Sequence, residues 1–229
     1  MNQAPSYPAD AGADTFLLTV RGTVRSESTQ AARDLHNATA GAPDSIAGAR
    51  SLGDLSHNVF VPAETDAPRL MFLDTWNSPA GVGLFFSNPM VGEAAGKLFA
   101  ERDAVLWAPA AGFGSYTLAT PAGTSVAGVG YLRAAVTSLD AARAAFLAHA
   151  SAGINRARLA GQVAHTVWLP MPMPGSTPAL EVLGIDYWLD VDQMVEYYTH
   201  GDFSHLAPAF AGRPETDTWK AAGSDWIEW

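Results

Sequence analysis

One hairpin pattern occurs twice in this chain, and it limits the available folds more than any other feature. The first copy runs His57-Asn58-Val59-Phe60-Val61-Pro62, then a polar loop, then Arg69-Leu70-Met71-Phe72-Leu73-Asp74-Thr75-Trp76. The second runs His165-Thr166-Val167-Trp168-Leu169-Pro170, a longer loop, then Leu180-Glu181-Val182-Leu183-Gly184-Ile185-Asp186-Tyr187-Trp188. Each is a strand that opens on His and closes on Pro, with a return strand ending Asp-x-Trp. If each hairpin is symmetric about its loop, Pro62 faces Arg69 and Met171 faces Leu180. That register sets His57 opposite Asp74 and His165 opposite Asp186. Residues opposed across an antiparallel pair share a face and lie within contact distance. Side chains alternate along a strand, so Trp76 shares the face of Asp74, and Trp188 that of Asp186.

The flanking segments repeat as well. Phe16–Val24 alternates as a strand with Arg21 on its polar side, and Val129–Val136 carries Arg133 in the same place. A helix from Ser28 to near Gly41 and a piece from Pro43 to about Leu52 answer to one long helix, Asp140–Ala160. Ser78-Pro79 starts a helix after the first hairpin, and Asp190-Val191-Asp192-Gln193 offers a capping box after the second. A strand is expected at Ala104–Trp107; Trp219 falls where Trp107 does, and Trp226–Trp229 is read as the last strand. Matching positions stay about 110 residues apart, the pattern of a tandem duplication. The division expected is a disordered leader over 1–14, a first unit over 15–109, a linker over 110–128 and a second unit over 129–229.

Each unit reads β-α-β-β-α-β, the ferredoxin-like arrangement of an α+β protein. Both faces of the hairpin strands are apolar, so helices on one side leave the other needing cover. The cheapest cover is the second copy, sheet to sheet, giving an intramolecular pseudo-dimeric α+β barrel.

A βαββαβ unit whose third strand ends Trp76-Asn77-Ser78-Pro79 resembles the dimeric α+β barrel superfamily, with the antibiotic biosynthesis monooxygenase-like domains nearest. Trp188-Leu189-Asp190 and Tyr197-Tyr198-Thr199-His200-Gly201-Asp202-Phe203 form a similar run in the second half. The superfamily includes cofactor-free quinol and anthrone monooxygenases, haem-degrading oxygenases, isomerases and ligand binders. A Trp ending the third strand lines the substrate pocket in some of these oxygenases, which implies that role for Trp76 and Trp188. The family's first-strand Asn is absent here. The helical His of haem-degrading members is matched by His205, with Glu93 at the corresponding place in the first half.

The composition excludes other chemistries. A balance of 13 basic to 23 acidic residues, net −10, argues against nucleic acid or an anionic membrane as partner. With no cysteine there is no disulfide, thiolate site or cysteine nucleophile. No two of the six His stand at metal-ligand spacing on one element, so no metal is expected. There is no phosphate loop and no nucleophile elbow, so no nucleotide cofactor is expected either. The leader lacks the regions of a signal peptide, which suggests a cytoplasmic protein.

Two readings remain. In one, His57 and His165 are bases held by Asp74 and Asp186, taking a proton from a phenol or enol. Trp76 and Trp188 would then be pocket walls, and Arg21 and Arg133 would hold an anionic or phenolate ligand. His36-Asn37 has no equivalent in the second half, where Phe146-Leu147 stands, and that asymmetry favours the first site if only one is active. The expected activity is cofactor-independent oxygenation of a small phenolic, quinol or polyketide-like compound, by a monomeric pseudo-dimer with a homodimer as the alternative. In the other reading the protein is a non-catalytic binding barrel, and the His–Asp pairs only pin the strand register.

Overall fold

The structure, a computed structural model, describes residues 15–121, 124–171 and 180–229. The expected leader and most of the loop of the second hairpin lie outside these residues. The element order is β1 (Phe16–Val24), α1 (Thr29–Thr39), α2 (Pro43–Ser51), β2 (Asp54–Pro62), β3 (Arg69–Trp76), α3 (Pro79–Ser87), α4 (Pro89–Leu98) and β4 (Phe99–Pro109). It continues with β5 (Tyr116–Thr117), β6 (Gly128–Ala135), α5 (Leu139–Leu159), β7 (Gln162–Pro170), β8 (Glu181–Trp188), α6 (Val191–His200), a 3-10 helix (Ser204–Ala209) and β9 (Glu215–Ala221). Two compact units result: one takes the chain up to Leu106 together with Ala221–Trp229, the other takes Trp107–Lys220.

Within the first unit the strands lie in the order β4-β1-β3-β2, and within the second in the order β9-β6-β8-β7 with β5 beyond. Both are the antiparallel 4-1-3-2 order of the ferredoxin-like unit, so the chain is α+β as the periodicity requires. The local signals are those read in the sequence. The hydroxyls of Ser28, Ser78 and Ser138 accept from the amides of Ala31, Gly81 and Ala141, and Asp190 accepts from Gln193, each capping a helix. Pro43 and Pro79 stand in the first turns they were expected to start. Gly53 and Gly161 follow α2 and α5 at φ 104° and 93°, a left-handed geometry that suits glycine at a helix end.

The last strand departs from expectation: it is β9, and Trp226–Trp229 is not a strand. Its sequence, Glu-Thr-Asp-Thr-Trp-Lys-Ala, is polar, and every residue but Trp219 is exposed or half-buried, so only Trp219 marks it by hydrophobicity. The hairpin cores are apolar on both faces as read: Leu70, Met71, Leu73, Val182, Leu183 and Ile185 are all at most 2% exposed. Each such side chain contributes about 1.5–3 kcal/mol by leaving water. In the second unit, Ala142 and Phe146 of α5 pack with Val167, Val182 and Phe113 in one cluster. No helix among the described residues is long and apolar enough to cross a membrane.

Candidate functional site

The hairpin registers bring both His–Asp pairs together. His57 lies opposite Asp74 and His165 opposite Asp186. The ring nitrogens Nδ1 reach the carboxyl oxygens Oδ1 at 2.7 Å and 2.5 Å. Around this common motif the two units differ.

In the first unit the pair is the end of a closed chain of hydrogen bonds. Asn37 Nδ2 donates to Asp225 O at 2.8 Å and Asn37 Oδ1 accepts from Ile227 N at 3.0 Å, which fixes the orientation of its amide. His36 Nδ1, 3.0 Å from that same oxygen, must therefore donate to it. Burial, and then the neighbouring His57, hold the His36 imidazole down to about 3, so the ring is neutral and its Nε2 is an acceptor. His57 Nε2, 2.9 Å away, must then be the donor. A single proton remains between His57 Nδ1 and Asp74. Burial lowers His57 to about 3 and raises Asp74 well above the carboxylate range, so the pair is neutral with the proton on the acid. The imidazoles of His36 and His57 stack at 5.1 Å, and Trp226 and Trp229 cover them at 5.2 Å and 4.5 Å. Every ring nitrogen of His36 and His57 is occupied.

In the second unit the residue at the place of His36 is Phe146, whose ring lies over His165 at 6.2 Å and 20°. A phenyl ring offers no acceptor. His165 Nε2 is buried with no hydrogen-bond partner among the described residues. Asp186 has instead a second donor, the Tyr198 hydroxyl, on its Oδ2. Burial, and then the Asp186 charge, push the Tyr198 phenol well above its ordinary range, so it stays a donor. With Oδ2 so engaged and Oδ1 facing Nδ1, an Asp186 that accepts from both neighbours would leave the His165 lone pair on Nε2. Tyr198 reaches this place because Gly130 stands opposite Asp186. A Cβ at Gly130 would sit 2.1 Å from the Tyr198 hydroxyl oxygen. In the first unit Leu18 stands opposite Asp74.

The edge segments beside the two His residues match each other, which the sequence reading missed. Trp229 exchanges main-chain hydrogen bonds with His57, and its indole N–H donates to Asp54 Oδ2 at 3.0 Å. Tyr116 pairs with His165 in the ladder, its ring 5.8 Å from the imidazole, and its hydroxyl donates to Gln162 Oε1. Asp54 and Gln162 hold the same register, opposite Trp76 and Trp188. The amide of Val59 donates to Glu228 Oε1 at 2.7 Å, and that of Val167 to Ser115 Oγ at 3.0 Å. Two aromatics three residues apart, Phe113 with Tyr116 and Trp226 with Trp229, were the available signal. Phe113 and Tyr116 fell in a stretch whose Gly and Pro read as linker.

The other expected site residues are placed as follows. Trp76 and Trp188 are fully buried, against Phe85 and against Tyr197 and Tyr198. Arg133 makes a two-pronged ion pair with Glu181 at 2.8 and 2.9 Å and lies 5.3 Å over Trp107. Arg21 is buried on β1, 7% exposed, and engaged by its neighbours. His36 and Asn37 belong to the closed chain. His149, half-buried on α5, lies 6.2 Å from the His165 ring, and its Nδ1 is 2.9 Å from Nε2 of His205. His205 is exposed and paired inside the protein through Nε2, a poor fit to a haem ligand. No group of three His, Asp or Glu suited to a metal ion occurs among the described residues.

No family model matches the chain, and no curated protein matches it in sequence. Solved structures do match in fold. An anthrone oxidase-like protein aligns over 93% of both chains at 13% identity, with a TM-score of 0.65. A mutant chlorite dismutase from Candidatus Nitrospira defluvii, in complex with cyanide, aligns over 94% of this chain and 93% of its own at 9% identity, TM-score 0.54. A ferredoxin-fold protein from Listeria monocytogenes, related to antibiotic biosynthesis monooxygenases, aligns over 95% and 99% at 9% identity, TM-score 0.50. The chain has the fold of the dimeric α+β barrel, antibiotic biosynthesis monooxygenase-like proteins. At such identities the likeness carries the architecture and leaves the chemistry to the site.

Proposed function

We propose that the chain is a cofactor-independent monooxygenase-like enzyme acting on a small phenolic, quinol or anthrone-like compound, with His165 as its general base. One observation carries this reading: His165 Nε2 is buried with no hydrogen-bond partner among the described residues, while its counterpart His57 Nε2 is spent on His36. Asp186 holds the tautomer that leaves Nε2 basic, and Tyr198 holds Asp186. The His57–Asp74 pair is then structural, so the asymmetry at His36 marks the inactive unit rather than the active one. The neighbour described as anthrone oxidase-like supports the substrate class.

The reaction balances with dioxygen as the only co-reactant. His165 takes a proton from an activated CH2 group to give a resonance-stabilised carbanion. The carbanion passes an electron to O2, and recombination forms a carbon–oxygen bond. The resulting peroxide receives the proton back from the imidazolium. Loss of the second carbon-bound hydrogen, with O–O cleavage, leaves a carbonyl and one water: CH2 plus O2 gives C=O plus H2O. The enzyme works as a monomer in this account, in the cytoplasm.

Oxygen uptake with a panel of anthrones and quinols tests it. A positioned general base contributes about 10²–10⁴-fold, so His165→Gln should lose at least that lower bound in kcat. His57→Gln should lower stability and leave kcat within about threefold. Uptake that survives His165→Gln would refute the assignment.

A further inference from the structure

The second unit, whose base is open, carries another pair of imidazoles beside it. His149 stands on α5 one turn beyond Phe146, with its ring centre 6.2 Å from that of His165 and inclined to it by 63°. Its Nδ1 is 2.9 Å from Nε2 of His205, an exposed residue of the 3-10 helix. These two rings are 20° from parallel with centres 5.1 Å apart, so their nitrogens meet edge to edge along the line of centres. The bonded rings of His36 and His57 show the same 2.9 Å and 5.1 Å. In the first unit the place of His149 is taken by Thr39, whose hydroxyl donates back to Leu35 O at 2.7 Å. The unit whose base is engaged has no imidazole there.

We propose that His149 is the acid of the last step, protonating the hydroxide that leaves as the O–O bond breaks, and that His205 reloads it from solvent; this rests on the oxygenase function proposed for His165. With His205 Nε2–H donating to His149 Nδ1, the neutral His149 carries its own proton on Nε2. His165 Nε2 takes the second carbon-bound hydrogen as a proton. The C–H electrons form the carbonyl bond, and the O–O pair leaves on the distal oxygen. That oxygen takes the proton from His149 Nε2 and departs as water. His149 Nδ1 takes the proton of His205 Nε2, and His205 takes one from solvent at Nδ1. The His165 imidazolium then returns its proton to solvent, so the sum is still one carbonyl and one water.

The spacing suits this role. Both bonded imidazole pairs have their centres at 5.1 Å, whereas His149 and His165 stand at 6.2 Å, too far for a direct bond. A reacting oxygen between them can reach both rings. Phe203 packs on the His149 ring at 5.7 Å and helps to hold it. Burial, more than any neighbouring group, lowers His149 to about 4, so at neutral pH the ring is uncharged. A neutral imidazole that gives a proton at one nitrogen while receiving one at the other never becomes an anion.

Single turnovers with the protein in excess over anthrone separate the early step from the late one. In His149→Ala, oxygen should be consumed within about threefold of the unsubstituted rate, while anthraquinone forms about 10²-fold more slowly and the hydroperoxide appears in quenched samples. Imidazole added to the solution should speed that late step by at least about tenfold. His205→Gln should slow the same step by about tenfold, with the same rescue. His205 is exposed, so this variant carries the test if His149→Ala does not fold. Oxygen consumption and quinone formation slowed together, neither of them slowed, or a late step that imidazole does not restore would overturn the proposal and leave His165 as the base. An unsubstituted chain that consumes no oxygen with anthrone would overturn it together with the CH2 chemistry on which it rests.

Discussion

Gly130 is the residue that lets Tyr198 reach Asp186, and Gly130→Ala tests how that corner of the second unit is built. A Cβ added there would lie 2.1 Å from the Tyr198 hydroxyl oxygen and 2.5 and 2.6 Å from two ring carbons. The whole ring must move, and the Tyr198–Asp186 hydrogen bond breaks with it. Overpacking of this kind costs about 1–3 kcal/mol. Gly130 has no positive φ, so alanine can take its backbone and restrict the unfolded chain, offsetting about 0.4–1 kcal/mol. The net loss expected is about 1–2 kcal/mol. The clean measurement is a double-mutant cycle with Tyr198→Ala, followed by urea denaturation with circular dichroism. The three atoms nearest the new Cβ all belong to Tyr198, so removing that side chain should make Gly130→Ala neutral or mildly stabilising. A coupling of about 1–3 kcal/mol is predicted. Coupling below about 0.5 kcal/mol would show that Gly130 does not act through Tyr198, and the reasoning would be wrong.

Exchanging the ring that lies on each His separates the two units. His36→Phe should cost about 1–3 kcal/mol, because it leaves the buried His57 Nε2–H without an acceptor, and it should leave oxygen uptake unchanged. Phe146→His should do the opposite, engaging His165 Nε2 and cutting uptake at least tenfold with little loss of stability; unchanged uptake would contradict it. Arg133→Gln should cost about 1–3 kcal/mol by stranding Glu181, read from the urea midpoint. The pH dependence of the melting temperature has a definite sign. His36 and His57, lowered to about 3, contribute stability that is full above about pH 6.5 and is lost as pH falls. Asp54 and Glu228, raised to about 8 and 7, contribute stability that is full below about pH 4 and is lost as pH rises. The two sets oppose each other below pH ~6.5, and only the carboxyls titrate above it, so the melting temperature should fall between pH ~6.5 and ~8. A rise over that window would contradict the assignment.

The hairpins made the strand order and both His–Asp contacts legible, because a symmetric loop and a period of two leave one register for each pair. The replacement of His36-Asn37 by Phe146-Leu147 was also legible, but not its meaning. A sequence does not tell whether His36 turns toward a ligand or toward His57, and it turns toward His57. Tyr198 was readable only as part of a family-like run. Its link to Asp186 depends on a glycine across the ladder, and the contrast of Gly130 with Leu18 was the signal left unused. The covering rings were hidden for a different reason. Tyr116–Thr117 is a two-residue strand, and Trp226–Trp229, read as a strand, is not one, so neither segment carries a period long enough to show which side chains its rings cover.

Two imidazoles, His57 and His165, share a fold position and differ in what their Nε2 atoms meet. Nitrogen-15 NMR of the histidine side chains at neutral pH reads this directly. The prediction is a protonated Nε2 on His57 and a bare, pyridine-type Nε2 on His165 that moves when a phenol is added. A protonated Nε2 on both rings, or a bare Nε2 on His57, would contradict it.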